Sequence, residues 1–149
     1  MKKSKIIHTG YPAIDSIVNF KLQAAKKNGV RVNANSTLPQ GLNISSFDST
    51  VIFGNLIDNA LQAVSLVPES RFIDFALHYS KGMLLIKIAN PFSNEIKKSG
   101  DKVITTKTDK TNHGYGLKSV KETVEKYDGT IEINPEDNIF TVTVVLYVD

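Results

Sequence analysis

The sequence predicts an α+β fold, a two-layer sandwich in which three helices cover one face of a mixed, mostly antiparallel sheet. Two observations predict it. Three segments carry apolar residues at helical spacing, and the segments between them alternate apolar and polar residues in adjoining pairs. Helices separated by hairpins pack as layers on one sheet. We expect residues 1–149 to form one domain, with an N-terminal lead over residues 1–8 in which residues 2–5 are frayed.

Composition narrows the classes of function. The chain has 149 residues, of which 41% are hydrophobic and 22% are charged, ordinary values for a soluble globular protein. It has no cysteine, which excludes disulfides, thiolate metal sites and cysteine nucleophiles. No apolar run approaches the roughly 20 residues that span a bilayer, so we expect no membrane contact by this segment and a cytoplasmic location. The net charge of +3 is scattered, so we expect no nucleic-acid partner.

The first elements are a helix and a short strand. Pro12 suits a first helical turn, and Thr9 is the expected cap. Apolar residues at helical spacing follow, up to an Asn-Gly pair at 28–29 that is typical of a helix end. They are Ile14, Ile17, Val18, Leu22 and Ala25. Residues 30–35 alternate as a strand, and a loop leads to the second helix.

The second helix carries an unusual row of amides. Residues 51–64 have the sequence VIFGNLIDNALQAV, with Ser46 or Asp48 as the expected cap. The amides at i, i+4 and i+7 form one stripe, and apolar side chains cover the opposite side. They are Asn55, Asn59 and Gln62. The stripe is either a polar face that happens to be rich in Asn or a set of neutral oxygen ligands for a hard cation or polar substrate.

In the second half of the chain, apolar and polar residues alternate on either side of one long polar segment. Residues 72–79 and 83–89 predict an antiparallel hairpin, and Asn90-Pro91 is expected to stop its second strand. Residues 91–113 have few apolar anchors, and so long a gap inside a domain is usually a functional lid or a disordered segment. A helix over 117–127 and a hairpin of 130–134 with 139–148 complete the chain.

A glycine pair opens the last helix. Gly114 and Gly116 flank Tyr115 directly before Leu117. Glycine ahead of a helix N-terminus lets backbone N–H groups approach a phosphate, and the helix dipole favours the anion. Such pairs are also common at plain helix entries. The sequence has no P-loop motif, and antiparallel hairpins do not fit a Rossmann site.

In this order, these motifs resemble the GHKL (Bergerat) ATP-binding fold shared by gyrase-like ATPases and sensor histidine kinases. Residues 55–60, NLIDNA, look like the family's N box, and residues 114–117, GYGL, look like its second glycine box. Asn90 stands where the first glycine box has an adenine-reading Asp, but the glycines of that box are replaced by Pro91-Phe92. Gyrase-like ATPases have a Glu base where this chain has Asn55. The resemblance covers nearly the whole chain.

The departures narrow the resemblance to one group of receptors. Asn at position 90, Thr-Thr-Lys at 105–107 and the opening TGYPAID at 9–15 are similar to the peptide-pheromone receptor kinases of the accessory-gene-regulator and competence type. The resemblance therefore implies a protein-histidine kinase domain for two-component quorum sensing. Its implied partners are ATP, a response regulator and the dimerisation segment of the same receptor. That segment carries the phosphoacceptor His, which we expect to lie outside this chain.

The resemblance also implies a site for ATP and Mg²⁺. Asn59 would bind the metal, with Asn55 supporting that shell or a phosphate, and Asn90 would read the adenine. A neutral amide at position 55 cannot act as a base, which favours transfer to a partner over activation of water. The other expected nucleotide contacts are Gln62, Lys107, Lys110, His113, Gly114, Tyr115, Gly116 and Leu117. Ile88 and Leu117 are candidate walls for the base.

Two other classes of function stay open at this point. One is an ATP-binding module of the same fold that regulates a partner or phosphorylates Ser, as anti-sigma kinases do. The other is an α+β interaction domain without nucleotide. Asn90 before a proline is also a normal turn start, and Lys107 and Lys110 are also normal solvated charges of a loop.

Overall fold

The computed structural model describes residues 5–93 and 116–148. Its helices are α1 (Pro12–Lys27), α2 (Ser46–Val64) and α3, which includes residues 116–125. Its strands are β1 (Arg31–Thr37), β2 (Phe72–Ser80), β3 (Met83–Pro91), β4 (Thr130–Glu136) and β5 (Ile139–Tyr147). They form one sheet in the order β1-β2-β3-β5-β4, in which only β1 and β2 pair in parallel. The predicted α+β class is confirmed.

The strands bury a single face. Directly paired residues point to the same side of a sheet, so Phe75 opposite Ile88, and Ile88 opposite Val142, continue one apolar row across three strands. All three side chains are at most 2% exposed. The ring of Phe53 on α2 lies 6.2 Å from that of Phe75, which places the core between α2 and this face. Within the described ranges, no helix is long and apolar enough to cross a membrane.

The first helix begins as predicted but is not capped as predicted. Pro12 occupies its first turn, yet its N-cap is Tyr11, which makes no side-chain cap hydrogen bond. The prediction for Thr9 is wrong because Thr9 lies two residues before the N-cap. Its hydroxyl accepts from the Tyr11 N–H at 3.0 Å and donates to the Asp15 side chain in the first turn at 2.6 Å. The helix ends before Gly29, whose φ of 84° few other residues adopt.

The cap of α2 lies one residue earlier than predicted. Ser45 has extended backbone angles and its side chain accepts from the Asp48 N–H at 3.0 Å. The prediction of Ser46 or Asp48 is therefore wrong, because both residues already lie inside the helix. Asp48 is instead a buried carboxylate in the first turn, 6% exposed.

The third strand runs through the residues expected to stop it. Asn90 and Pro91 pair with Phe140 and Ile139 of β5. On the other side of β3, pairing with β2 ends at Ala89. Pro91 lacks an N–H, but it has no partner strand on that side, so no hydrogen bond of the sheet is lost there. Pro91 therefore belongs to the sheet and not to the predicted lid 91–113, of which residues 94–113 lie outside the described residues.

Candidate functional site

The amide stripe of α2 meets the first described turn of α3. The Nδ2 of Asn55 donates to the Val51 carbonyl oxygen at 2.8 Å, which orients the half-buried amide. A Cβ placed on Gly116 would lie 3.5 Å from Asn55 Oδ1 and 3.9 Å from its Cγ. Gly116 therefore presents bare backbone directly to the Asn55 side chain. The structure thus brings together one residue of the predicted N box and one of the predicted second glycine box.

One turn farther along α2, the side-chain oxygen of Asn59 has no hydrogen-bond partner in the part of the chain that the structure describes. Its side chain is 7% exposed, and no donor within residues 5–93 and 116–148 reaches its Oδ1. A buried acceptor left in this state costs about 1–3 kcal/mol. The atom is a neutral oxygen suited to a hard cation or to a water bound to one. The third amide of the stripe, Gln62, is exposed.

Asn90 lies at the end of β3 on the face that the helices cover, and it is 2% exposed. Its Nδ2 donates to the Pro91 carbonyl oxygen at 2.9 Å. A carboxylate has no hydrogen to donate, so Asp at this position would face that carbonyl as a second acceptor. The local backbone of this chain therefore favours Asn where the family resemblance leads one to expect Asp.

An aromatic pair flanks Asn90. Phe140 is its direct neighbour on β5, and the ring of Phe92 stands 6.0 Å from that of Phe140 at an angle of 75°. Both rings are half-buried. Sequence reasoning missed the pair, since Phe140 reaches Asn90 only through the register of β3 and β5. Of the two walls predicted for the base, Ile88 is 1% exposed and belongs to the core, and Leu117 is half-buried against it.

The other predicted nucleotide contacts cannot be placed in this geometry. Lys107, Lys110, His113, Gly114 and Tyr115 lie outside the described residues. Their assignment stays a prediction.

Three titratable side chains join α2 to the end of α3. Asp48 accepts from Lys126 Nζ at 2.8 Å and from the Tyr127 hydroxyl at 2.6 Å. Burial raises the pKa of the Asp48 carboxyl, but hydrogen bonds from Lys126, Tyr127 and Ser45 outweigh it, so this pKa lies below its ordinary value. Burial, and then donation to Asp48, raise the pKa of Tyr127. The hydrogen bond to Asp48 raises the pKa of Lys126.

Comparisons with known proteins agree with this arrangement. The family model described as GHKL domain matches residues 44–147. Sensor histidine kinase DcuS of Escherichia coli (strain K12) is 31% identical over 87% of this chain and 25% of its own length. A probable C4-dicarboxylate sensor kinase of Bacillus subtilis (strain 168) is 33% identical over 70% of this chain and 21% of its own. The chain thus spans about a quarter of the curated relatives that it matches.

The fold has a counterpart among solved structures. The catalytic domain of histidine kinase ThkA superposes with a TM-score of 0.66, covering 94% of this chain and 93% of that one. The sequence identity is 13%, so this likeness concerns the fold alone.

Proposed function

The chain belongs to the GHKL domain family, and from that premise we propose that it is the Mg²⁺- and ATP-binding catalytic domain of a sensor histidine kinase. The observation that carries the proposal is the position of Asn55 beside Gly116, where an added Cβ would lie 3.5 Å from Asn55 Oδ1. Asn59 lies one helical turn farther along α2, and its Oδ1 has no hydrogen-bond partner among the described residues. Polar side chains with unused hydrogen-bonding capacity, next to bare helix backbone, suit a nucleotide phosphate and its counter-ion.

The nucleotide would lie between α2, α3 and the end of β3. The backbone at Gly116 would approach the phosphates, since no side chain of its own stands in the way. Asn90 would present its remaining hydrogen-bonding capacity to the adenine, with Phe92 and Phe140 as apolar neighbours of the base. Gln62, Leu117 and the residues outside the described ranges, Lys107, Lys110, His113, Gly114 and Tyr115, would complete the contacts.

The residues present fit Mg²⁺ at Asn59. Mg²⁺ takes oxygen ligands, keeps several waters and is commonly shared between one protein group and substrate phosphates. Asn59 Oδ1 would be the protein ligand, with Asn55 supporting it. When bound, the ion would neutralise charge on the phosphate oxygens.

The reaction would be phosphoryl transfer to a histidine on the dimerisation segment of the same receptor. The bond from the γ-phosphorus to the β,γ-bridging oxygen breaks, a bond to an imidazole nitrogen forms, and ADP leaves. Asn55 has no ionisable group, so it would position a ligand without activating water. The phosphoryl group would then pass to a response regulator, in a cytoplasmic two-component system.

The metal site is tested by Asn59→Asp. This change puts a carboxylate at a buried position, so we expect a lower melting temperature in EDTA and recovery with Mg²⁺ and ATP. Asn43→Asp makes the same chemical change at an exposed loop position, so it should leave the melting temperature in EDTA unchanged and respond to Mg²⁺-ATP as the natural protein does. If millimolar Mg²⁺-ATP leaves the melting temperature of the natural protein unchanged, the nucleotide site is refuted.

The transfer step needs its own experiment. The chain is incubated with γ-labelled ATP and the His-bearing dimerisation segment of the full-length receptor. Acid-labile label on that segment, abolished by changing its His, supports histidine phosphotransfer. Nucleotide binding without label would replace the kinase proposal by a regulatory module, and acid-stable label would replace it by a Ser kinase of the anti-sigma type.

We propose quorum sensing through a peptide pheromone as the signal, on the likeness of the opening TGYPAID and of Asn90-Pro91-Phe92 to such receptors. One of the two relatives described above is a probable C4-dicarboxylate sensor kinase, so a C4-dicarboxylate is the alternative signal to be tested. Autophosphorylation of the full-length receptor in membranes should rise with peptide from spent culture medium. A rise with a C4-dicarboxylate instead would refute the pheromone proposal.

A further inference from the structure

The carboxylate of Asp48 ties the first turn of α2 to the end of α3. It receives hydrogen bonds from Lys126 Nζ at 2.8 Å and from the Tyr127 hydroxyl at 2.6 Å. The same hydroxyl accepts from the Ser45 N–H at 3.3 Å, so Tyr127 contacts both the cap residue and the first turn of α2. We call Asp48, Lys126 and Tyr127 the interhelix clasp.

The end of α3 is also fixed on the sheet. The Tyr127 carbonyl oxygen accepts from the Tyr147 N–H at 3.1 Å. Two residues farther on, a Cβ at Gly129 would lie 2.0 Å from the carbonyl oxygen of Val145, so only glycine allows this close approach. Together with the clasp, these contacts hold this end of the helix against α2 and β5.

The opposite end of α3 lies at the candidate nucleotide site. Gly116 lies beside Asn55, whereas Lys126 donates to Asp48, so α2 and α3 run antiparallel. Asp48 and Asn55 are separated by about 10 Å along α2, at 1.5 Å per residue. A helix behaves as a stiff rod over this length. A rotation or slide of α3 at the clasp therefore changes the distance between Gly116 and Asn55.

The buried charge of the interhelix clasp favours one position of α3 on α2 more than it adds to overall stability. Lys126 is 57% exposed at its side chain, and an ion pair with a solvated partner adds little stability. The side chain of Asp48 is only 8% exposed and loses most of its hydration, and the cost of that loss offsets much of the stability gained from the ion pair. In the observed placement of α3 this carboxylate receives both donors, and a shift of α3 that withdraws either one would leave a buried charge incompletely paired.

We propose that the interhelix clasp positions the nucleotide site, by holding α3 on α2 in the register that places Gly116 against Asn55. This inference rests on the proposed function. Asp48, Lys126 and Tyr127 are positioning residues in it, acting through Gly116 and Asn55 without touching the nucleotide themselves.

The test compares two tyrosine-to-phenylalanine variants. Tyr127→Phe removes a hydroxyl that bonds Asp48 and Ser45. Tyr11→Phe is the matched control, since its hydroxyl also makes two bonds, to the Pro39 carbonyl oxygen and from the Leu42 N–H. Both should lower the melting temperature by similar amounts. Only Tyr127→Phe should shift the Asn55 side-chain amide signals in NMR spectra and weaken Mg²⁺-ATP binding, by about three- to tenfold.

Asp48→Asn is the second variant and should shift the same signals, because an amide cannot receive both donors as the carboxylate does. The proposal is overturned if Tyr127→Phe and Asp48→Asn leave the Asn55 signals and the Kd unchanged, or if Tyr11→Phe changes both equally. Failure of the natural protein to bind Mg²⁺-ATP would instead refute the proposed function. The Asn55 signals would then still report whether the clasp sets the helix register.

Discussion

Gly116→Ala separates a binding role for this glycine from a structural one. The added Cβ would lie 3.5 Å from Asn55 Oδ1 and 3.9 Å from its Cβ and Cγ, which are ordinary contact distances. The helix tolerates the change, and replacing Gly by Ala in a helix stabilises it by up to about 1 kcal/mol. For a chain of this size, that corresponds to a rise in melting temperature of about 2–4 °C.

The same methyl group would stand between the Gly116 backbone and the Asn55 side chain, where the proposed function places a phosphate. We therefore expect Mg²⁺-ATP affinity to fall by at least about tenfold, or 1.4 kcal/mol, while the protein becomes no less stable. Isothermal titration calorimetry and a thermal melt on the same sample measure the two quantities.

Gly54→Ala is the matched control. Its Cβ would lie 3.7 Å from Ile17 Cγ1 and 3.9 Å from Lys21 Cε, in the contact between α2 and α1. It should give a similar rise in melting temperature with unchanged affinity. Wild-type affinity in Gly116→Ala, or equal losses in the two variants, would refute the assignment of Gly116 to the phosphate site.

The remaining predictions concern stability and pH. Gly129→Ala should destabilise the protein by about 2–3 kcal/mol in urea unfolding, because its Cβ would lie 2.0 Å from the Val145 carbonyl oxygen; an unchanged midpoint would contradict that contact. Asn59→Leu should stabilise by about 1 kcal/mol, since it removes a buried acceptor without a donor among the described residues, and should abolish Mg²⁺-dependent ATP binding. The folded-state pKa of Asp48 lies below its ordinary value of 3.8, so its stabilising contribution is present above that pH and is lost as the pH falls through the folded pKa. Stability should therefore decline less steeply below about pH 4 in Asp48→Asn than in the natural protein. The pKa of Tyr127 is raised, so its contribution to stability should persist to about pH 10 and decline above that pH. This decline in stability at high pH should be absent in Tyr127→Phe.

Local pattern was sufficient for the helices and strands. The helical spacing from Ile14 to Ala25 and the alternation from Ile73 to Tyr79 both depend on neighbours within one element, so the sequence contains the needed information. The predictions were wrong only at the ends of helices and strands. Ser45, not Ser46, caps α2, and β3 continues through Pro91, because caps and strand ends depend on what packs or pairs beyond the element.

The sequence by itself determined which residue types stand where: the amides on one stripe of α2, Asn at position 90 and the glycine at the start of α3. Only the tertiary structure decided that Asn55 lies beside Gly116 and that Asn59 Oδ1 has no donor among the described residues. It also decided that Asp48 receives Lys126 and Tyr127 from the far end of α3. Such contacts join residues distant in the chain, and their distances depend on strand register and on the placement of whole helices, which no local periodicity encodes.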